Sequence, residues 1–138
     1  MKLNKTIIIL LLAFLGCSET TKIDVDICNE CVVIDNDLYN NTDTNNYSIN
    51  DVVVTNNLLT IKISAGGCSV DNWSATLIDA DQILESNPVQ RNIKILFTAK
   101  EDCLAFFEKE FTFNIRGLKE NYPEIILNLE GWNTQINY

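Results

Sequence analysis

Alternating hydrophobic and polar residues predict a series of short β-strands from the middle of the chain to its end. Leu59, Ile61 and Ile63 alternate with polar side chains, which is typical of a strand with one buried face. The same period of two recurs further along, and turn-forming residues separate the segments. The predicted strands cover residues 49–55, 58–65, 73–79, 91–99, 107–115, 124–129 and 134–138.

The pattern also predicts the turns and the side chains that face the core. Asn56 and Asn57 separate the first two strands and indicate a two-residue hairpin, because asparagine tolerates a positive φ. In the strand over 91–99 we expect Asn92 and Lys94 to point outward. The inward-facing positions predicted after residue 90 are Ile93, Ile95, Phe97, Phe107, Phe111, Phe113, Ile115, Ile125, Leu127 and Leu129.

Short strands separated by turns, with no sustained helical period, favour an all-β fold. We predict a single antiparallel β-sandwich, immunoglobulin-like in architecture, with a small closed barrel as the alternative. Residues 31–39 begin with a first strand or a docked extended piece. Residues 36–50 are rich in Asn, Asp and Thr and are expected to form a surface connection. Residues 102–110 could form a helical turn before their strand.

The first 17 residues have the layout of an export signal. Lys2 and Lys5 precede an apolar run over 6–15, and Gly16-Cys17 closes it. This layout resembles a bacterial lipoprotein signal, which implies cleavage after Gly16 and a diacylglycerol on the Cys17 sulfur. The apolar run is shorter than the roughly 20 residues that span a bilayer. The predicted organisation is a signal peptide over 1–16, a lipidated tether over 17–30 and a β-sandwich domain over 31–138.

The charge balance narrows the range of partners. The full chain has a formal charge of −9. Loss of the signal removes Lys2 and Lys5 but no acidic residue, so the mature chain carries −11. Such a chain repels nucleic acid and anionic lipid headgroups. We therefore expect no nucleic-acid partner, and we expect the acyl chains on Cys17 to supply the attachment to the membrane.

Four cysteines remain after Cys17, an even number that suggests disulfides in an exported domain. Three pairings are possible. We favour Cys28 with Cys31, which are close in sequence, and Cys68 with Cys103, each of which follows a predicted strand. The second bridge would close a loop of about 35 residues and stabilise the fold by about 3–4 kcal/mol.

No catalytic or metal site is predicted. The chain has no histidine, which removes the usual catalytic triads and most transition-metal sites. Glu30 lies between Cys28 and Cys31, and its charge disfavours a reactive thiolate, so a structural disulfide is favoured over a redox centre or a zinc site. Asp79 and Asp81 are interpreted as a solvated face or a turn. We predict that the protein is not an enzyme and uses no cofactor.

Two further groups of residues contain side chains of the kinds that bind ligands. Oxygen ligands over 35–45 suit calcium, but the segment lacks the glycine and glutamate of an EF-hand loop, so an ordinary polar loop is favoured. Trp73 follows Cys68 closely and is predicted to lie in the core beside a disulfide. Trp132 follows Gly131 near the chain end and is the candidate ligand-binding residue.

Several stretches of the chain resemble a group of uncharacterised small lipoproteins of Bacteroidota. They are CVVID at 31–35, SAGGCS at 64–69, EDCLAFF at 101–107, FTFNIRGL at 111–118 and ILNLEGW at 126–132. The resemblance covers about 105 residues. It implies an exported, lipidated, single-domain β protein in which Cys68 and Cys103 form a structural pair, and it implies no activity.

The expected function is that of a lipid-anchored binding or structural module of the cell envelope, held in the outer membrane. Its ligand would be a protein or a glycan. The alternative is an inhibitor or immunity-like protein whose acidic surface blocks a basic envelope enzyme such as a lysozyme, since opposite charges speed encounter.

Overall fold

Strands make up most of the described chain, as the sequence pattern predicts. The computed structural model describes residues 32–100, 103–119 and 121–138. The strands in this part are β1 (Val32–Ile34), β2 (Ser48–Thr55), β3 (Leu58–Gly66), β4 (Ser74–Leu84), β5 (Val89–Thr98), β6 (Phe106–Asn114), β7 (Ile125–Leu129) and β8 (Ile136–Asn137). Two short helices accompany them, α1 (Asn36–Asn41) and α2 (Arg116–Lys119).

The strands form two sheets, so the predicted sandwich is confirmed. The larger sheet has the order β1-β4-β5-β7-β8, the smaller one β2-β3-β6, and within the described residues they do not close into a barrel. The predicted hairpin joins β2 and β3, with Asn56 at φ 56°. The β1–β4 and β5–β7 pairs are parallel, whereas the prediction was of an antiparallel sandwich. A parallel pair needs a crossover, and here the chain crosses through the smaller sheet before each return.

The core lies between the sheets and is made by the alternating positions that the sequence singles out. Leu59, Ile61 and Ile63 of β3 are fully buried. The inward-facing positions predicted after residue 90 are also buried, except Phe107, which is 37% exposed. Trp73 is a core residue, as predicted, and its ring meets the Phe97 ring edge-on at 5.2 Å. The core therefore extends to the end of the sandwich at which β4 begins.

Helix α1 replaces the first part of the predicted surface connection over 36–50. Asp35 adopts an extended backbone at the N-cap, and its Oδ1 accepts a hydrogen bond from the Leu38 N–H at 2.8 Å. At the other end, the Thr42 hydroxyl donates to the Leu38 C=O at 2.8 Å. Sequence composition favours a loop here, but the Asp35 cap and the contact of the helix with the sheet outweigh that preference.

Lys94 lies on the outer face of the larger sheet, as predicted, yet it is only 6% exposed because α1 covers it. Its ammonium donates to the C=O groups of Tyr39 and Thr42 at 3.0 and 3.2 Å. It also pairs with Glu130 at 3.1 Å and lies 4.4 Å from the centre of the Tyr39 ring. The lysine thus satisfies carbonyl groups at the C-terminal end of the helix and connects α1 to β5 and β7.

Asp79 contradicts the interpretation of the Asp79 and Asp81 pair as a solvated face. Asp79 is fully buried, and its two oxygens accept bidentate hydrogen bonds from Arg91 at 2.7 and 2.8 Å. Asp81 is the turn residue of the pair, exposed and at φ 53°, and its N–H donates to Asp79 Oδ1 at 2.8 Å. The pair lies where the register between β4 and β5 shifts, so the carboxylate stabilises an irregular stretch of backbone.

Removing one partner of this ion pair is expected to be far more costly than breaking an exposed pair. Arg91→Met leaves the Asp79 carboxylate buried without its cation, and we expect the free energy of unfolding to fall by about 3–5 kcal/mol. The matched control is Lys62→Met, because Lys62 pairs with Glu110 at 3.3 Å on an exposed face. The control should lose at most about 1 kcal/mol. Urea unfolding of both variants checks the prediction, and equal losses would contradict it.

Candidate binding surface

The disulfide Cys68–Cys103 joins the loop after β3 to the segment that leads into β6. The predicted pair is therefore present in the structure, with the two Cα atoms 5.0 Å apart across 35 positions of sequence. Beyond the last strand pair, Gly66 with Phe106, the Gly67 N–H donates to the Ala105 C=O at 3.0 Å. The segment before β6 is thus held to β3 by a covalent bond and by backbone hydrogen bonds.

The glycine at position 67 packs closely against the core under this bridge. A Cβ at Gly67 would lie 3.0 Å from Nε1 of the buried Trp73 ring, a distance that real Cβ contacts rarely reach. The indole fills the space that a side chain would take. The Gly-Gly-Cys sequence therefore lets the backbone pass directly over the core at the point where the disulfide forms.

Residues 103–107, which we call the tip, expose large apolar side chains at this end of the sandwich. Leu104 is fully exposed and Phe106 is 80% exposed. Isolated exposed apolar residues are ordinary, whereas Leu104 and Phe106 lie together on one restrained segment. The tip thus presents two apolar anchors on a backbone that the disulfide and the β3 ladder restrain.

Carboxylates extend from the tip along one face of β6. Glu108 and Glu110 share the outward face with Phe106, since side chains alternate along a strand. The intervening Lys109 points the other way, and its ammonium donates to the C=O groups of Val70 and Trp73 at 2.9 and 3.1 Å. Lys109 is therefore occupied by backbone, whereas on the outward face Lys62 pairs with Glu110 at 3.3 Å and Glu108 accepts a hydrogen bond from Asn50.

A shallow cleft of about 230 Å³ lies beside the Phe106 ring. Its far wall is the segment that leads into β2, where the Tyr47 hydroxyl donates to the Ile95 C=O at 3.1 Å. Burial, helped by the charge of Glu130, raises the pKa of Tyr47, so its hydroxyl stays a neutral donor. The lining residues are Asn45, Asn46, Tyr47, Ser48, Ser64, Ala65, Gly66 and Phe106.

Of the described residues that the sequence proposed as sites, Cys68 and Cys103 lie at the tip and Trp132 does not line its cleft. Trp132 is half-buried, packs against the core and does not line the cleft, and its proposed ligand-binding role stays a prediction. Cys17, Cys28 and Cys31 lie outside the described residues, as do the proposed signal peptide and tether. Among the proposed sites that the structure describes, the Cys68–Cys103 pair is the one that belongs to this surface.

The apolar anchors of the tip were missed by the sequence reasoning. Phe106 lies at an even-numbered, outward position of its strand, in phase with Glu108 and Glu110. An aromatic residue in the solvent-facing phase of an alternating strand is the signal that could have identified it. The helical turn considered for 102–110 is wrong for 106–110, which belong to β6.

Within the described ranges, the structure shows neither a metal centre nor a membrane-spanning helix. No group of three or more His, Cys, Asp or Glu side chains is placed to hold a metal ion. In the segment considered for calcium, Asp35 caps α1 and Asp43 accepts hydrogen bonds from Asn45. No helix in this part of the chain is long and apolar enough to cross a bilayer.

Comparison with known proteins shows the fold alone. Neither the known family models nor the curated proteins match the sequence. A crystal structure of a protein of unknown function, DUF1344, from Bacteroides vulgatus aligns with a TM-score of 0.52 at 10% identity, over 79% of this chain and 54% of that one. A "Putative TOXIN related protein" from Parabacteroides distasonis aligns with a TM-score of 0.49 at 16% identity, over 79% and 58%. The chain spans little more than half the length of either structure.

Removal of the disulfide is expected to destabilise the domain and release the tip. For the double variant Cys68→Ser with Cys103→Ser, loop entropy predicts a loss of about 3–4 kcal/mol in the free energy of unfolding. Chymotrypsin should then cleave at Phe106 or Phe107 faster than in the native protein. Ser69→Ala is the control, since within the described part of the chain its hydroxyl bonds to Asp71 in the same loop. A loss below about 1 kcal/mol in urea unfolding would contradict the prediction.

Proposed function

We propose that the protein is an exported, lipid-anchored module of the bacterial cell envelope that binds another protein through its tip. The observation that carries the proposal is the pair of exposed apolar side chains, Leu104 and Phe106, on a segment restrained by the Cys68–Cys103 bridge. The lipoprotein-type signal that ends at Cys17 supports the location. The absence of histidine supports a binding role over a catalytic one.

The physical properties of the tip favour a protein partner. Aromatic side chains that enter a pocket of the partner supply most of the free energy at many interfaces. A segment that is already restrained loses little conformational entropy on binding, so more of the contact energy appears as affinity. The carboxylates of Glu108 and Glu110 would sit at the rim of such a contact, where charge governs encounter rate and specificity.

The net negative charge of the chain argues against a membrane or a nucleic acid as the direct partner of the tip. A mature chain with a formal charge of −11 is repelled by phosphate groups. In this proposal the membrane holds the acyl chains on Cys17, and the tip is left free for a partner with a basic rim around an apolar pocket.

Truncation of the Phe106 anchor should weaken binding without unfolding the domain. A photo-crosslinking amino acid at position 104, in the lipidated protein in its own cells, should join one envelope protein. Phe106→Ser should weaken affinity for that purified protein at least tenfold, a loss of about 1.4 kcal/mol. The matched control is Val53→Ser. Val53 is an apolar residue, 48% exposed, on the outer face of the smaller sheet, to which Phe106 also belongs. Equal effects of the two substitutions, or crosslinks from position 53 to the same protein, would contradict the role of the tip.

Inhibition of a basic envelope enzyme is the second candidate. It is favoured by the placement of Phe106, Glu108 and Glu110 on one face, an aromatic anchor beside negative charge. The test uses lysozyme as the probe and follows its turnover of cell walls with increasing amounts of the full mature chain. Inhibition that falls steeply with added salt and is lost in Phe106→Ser supports this candidate. Undiminished turnover at a large excess of the protein would rule lysozyme out as the target.

A further inference from the structure

The cleft beside Phe106 is open because position 66 has no side chain. In the register of β3 and β6, Gly66 lies directly opposite Phe106, and both positions face outward. A side chain at position 66 would stand beside the ring and fill part of the cleft. A Cβ at Gly66 would also lie 3.4 Å from the Cys103 carbonyl oxygen, so the disulfide-bonded segment passes close by. The strand register therefore places an aromatic ring next to an open space.

The lining of the cleft is polar but uncharged. The amides of Asn45 and Asn46 and the hydroxyls of Ser48 and Ser64 form it together with the Phe106 ring. In the described part of the chain, no carboxylate or ammonium group is among the lining residues, although the sequence has 19 acidic and 10 basic residues. A charged ligand would lose water here without gaining an opposite charge. The cleft therefore favours a neutral ligand with several hydrogen-bonding groups.

Hydrogen bonds within the protein order the two amides. The Asp43 carboxylate accepts from the Asn45 backbone N–H at 3.0 Å and from the Asn45 side-chain amide at 2.6 Å. The Asn46 amide donates to the Phe97 C=O at 3.3 Å. Side chains that are already ordered lose little conformational entropy when a ligand binds, so more of the contact energy appears as affinity.

We propose that the cleft binds one ring of a neutral glycan, with the sugar stacked on Phe106 and its hydroxyl groups bonded to the opposite wall. A sugar ring combines an apolar C–H face, which packs on an aromatic ring, with a rim of hydroxyl groups that donate and accept hydrogen bonds. The cleft offers both kinds of contact. The Phe106 side chain, 80% exposed, supplies the flat apolar surface, and the amides and hydroxyls supply the polar partners.

The size of the cleft limits the ligand to a single ring at this position. Pockets that enclose drug-sized molecules measure about 300–1,000 Å³. This cleft measures about 230 Å³ and is shallow, so the rest of a glycan chain can continue into solvent from the bound ring. The ligand class is therefore an oligosaccharide or polysaccharide that is recognised at one of its residues.

This site adds a second ligand to the protein partner proposed above and does not depend on that partner. Leu104 does not line the cleft, and Ser48 is not part of the tip. A crosslink from position 104 reports on the protein partner, whereas the sugar affinity of the purified chain reports on the cleft. The failure of one proposal is thus distinguishable from the failure of the other.

Calorimetric titration of the purified mature chain, without any protein partner, tests the cleft. An array of neutral and anionic oligosaccharides selects the tightest neutral oligosaccharide as the probe. Phe106→Ser should weaken its affinity at least about tenfold, whereas Phe106→Trp keeps an aromatic face and should stay within about threefold.

A second pair of variants tests the polar wall. Ser48→Val removes a hydroxyl that lines the cleft and should weaken affinity about threefold or more. Thr55→Val is the matched control, since it makes a similar exchange at the other end of β2, and it should stay within about twofold. Urea unfolding of each variant should show that the domain stays folded.

Three outcomes would overturn the proposal. Absence of binding by every neutral oligosaccharide on the array at about 1 mM would show that the cleft has no sugar ligand. Equal losses in Ser48→Val and Thr55→Val would show that the wall of the cleft does not contact the sugar. A preference for anionic oligosaccharides, with an affinity that falls steeply with added salt, would show that charge selects the ligand instead of the neutral lining.

Discussion

The buried ion pair between Asp79 and Arg91 is the interaction on which the larger sheet depends. It lies where β4 leaves regular pairing with β5, and it is almost completely shielded from water, so either charge alone would be strongly unfavourable there. The same irregular stretch receives the start of the domain, since the Asp79 and Ala80 C=O groups accept hydrogen bonds from Asp35 and Asn36. One bidentate contact therefore stabilises the bulge, and the bulge fixes the position of β1 and α1.

The alternation of side chains predicted the two-sheet fold and most of its core. It could do so because a strand with one buried face alternates apolar and polar residues along the sequence. The same rule could not predict which outward-facing residues a further layer would cover. Lys94 obeys the alternation and is buried all the same, because a helix that composition assigns to a loop lies over it. Asp79 occupies an inward position and is compatible with burial only through its pairing with Arg91, twelve residues away. Such tertiary pairings leave no periodic signal.

The sequence predicted only part of the candidate surface, because tertiary contacts determine the rest of it. The cysteine pair was predicted from the even cysteine count and from the predicted strand that precedes each member, and that pair identifies the end of the sandwich where the tip lies. The exposure of Leu104 and Phe106 depends on how the disulfide and the β3 ladder direct the segment between them. From the sequence alone, a hydrophobic run after a cysteine is interpreted as part of the core. Only the strand register shows that Phe106 falls in the same phase as the glutamates and points outward.

The disulfide end of the sandwich brings apolar and charged side chains together on one face of β6. Lys109 points away from this face and is engaged by backbone carbonyls, whereas Lys62 pairs with Glu110 on it. The alternation of side chains that builds the core on one side of β6 therefore also places Phe106 in phase with Glu108 on the other side, and the disulfide restrains the segment that leads into this strand.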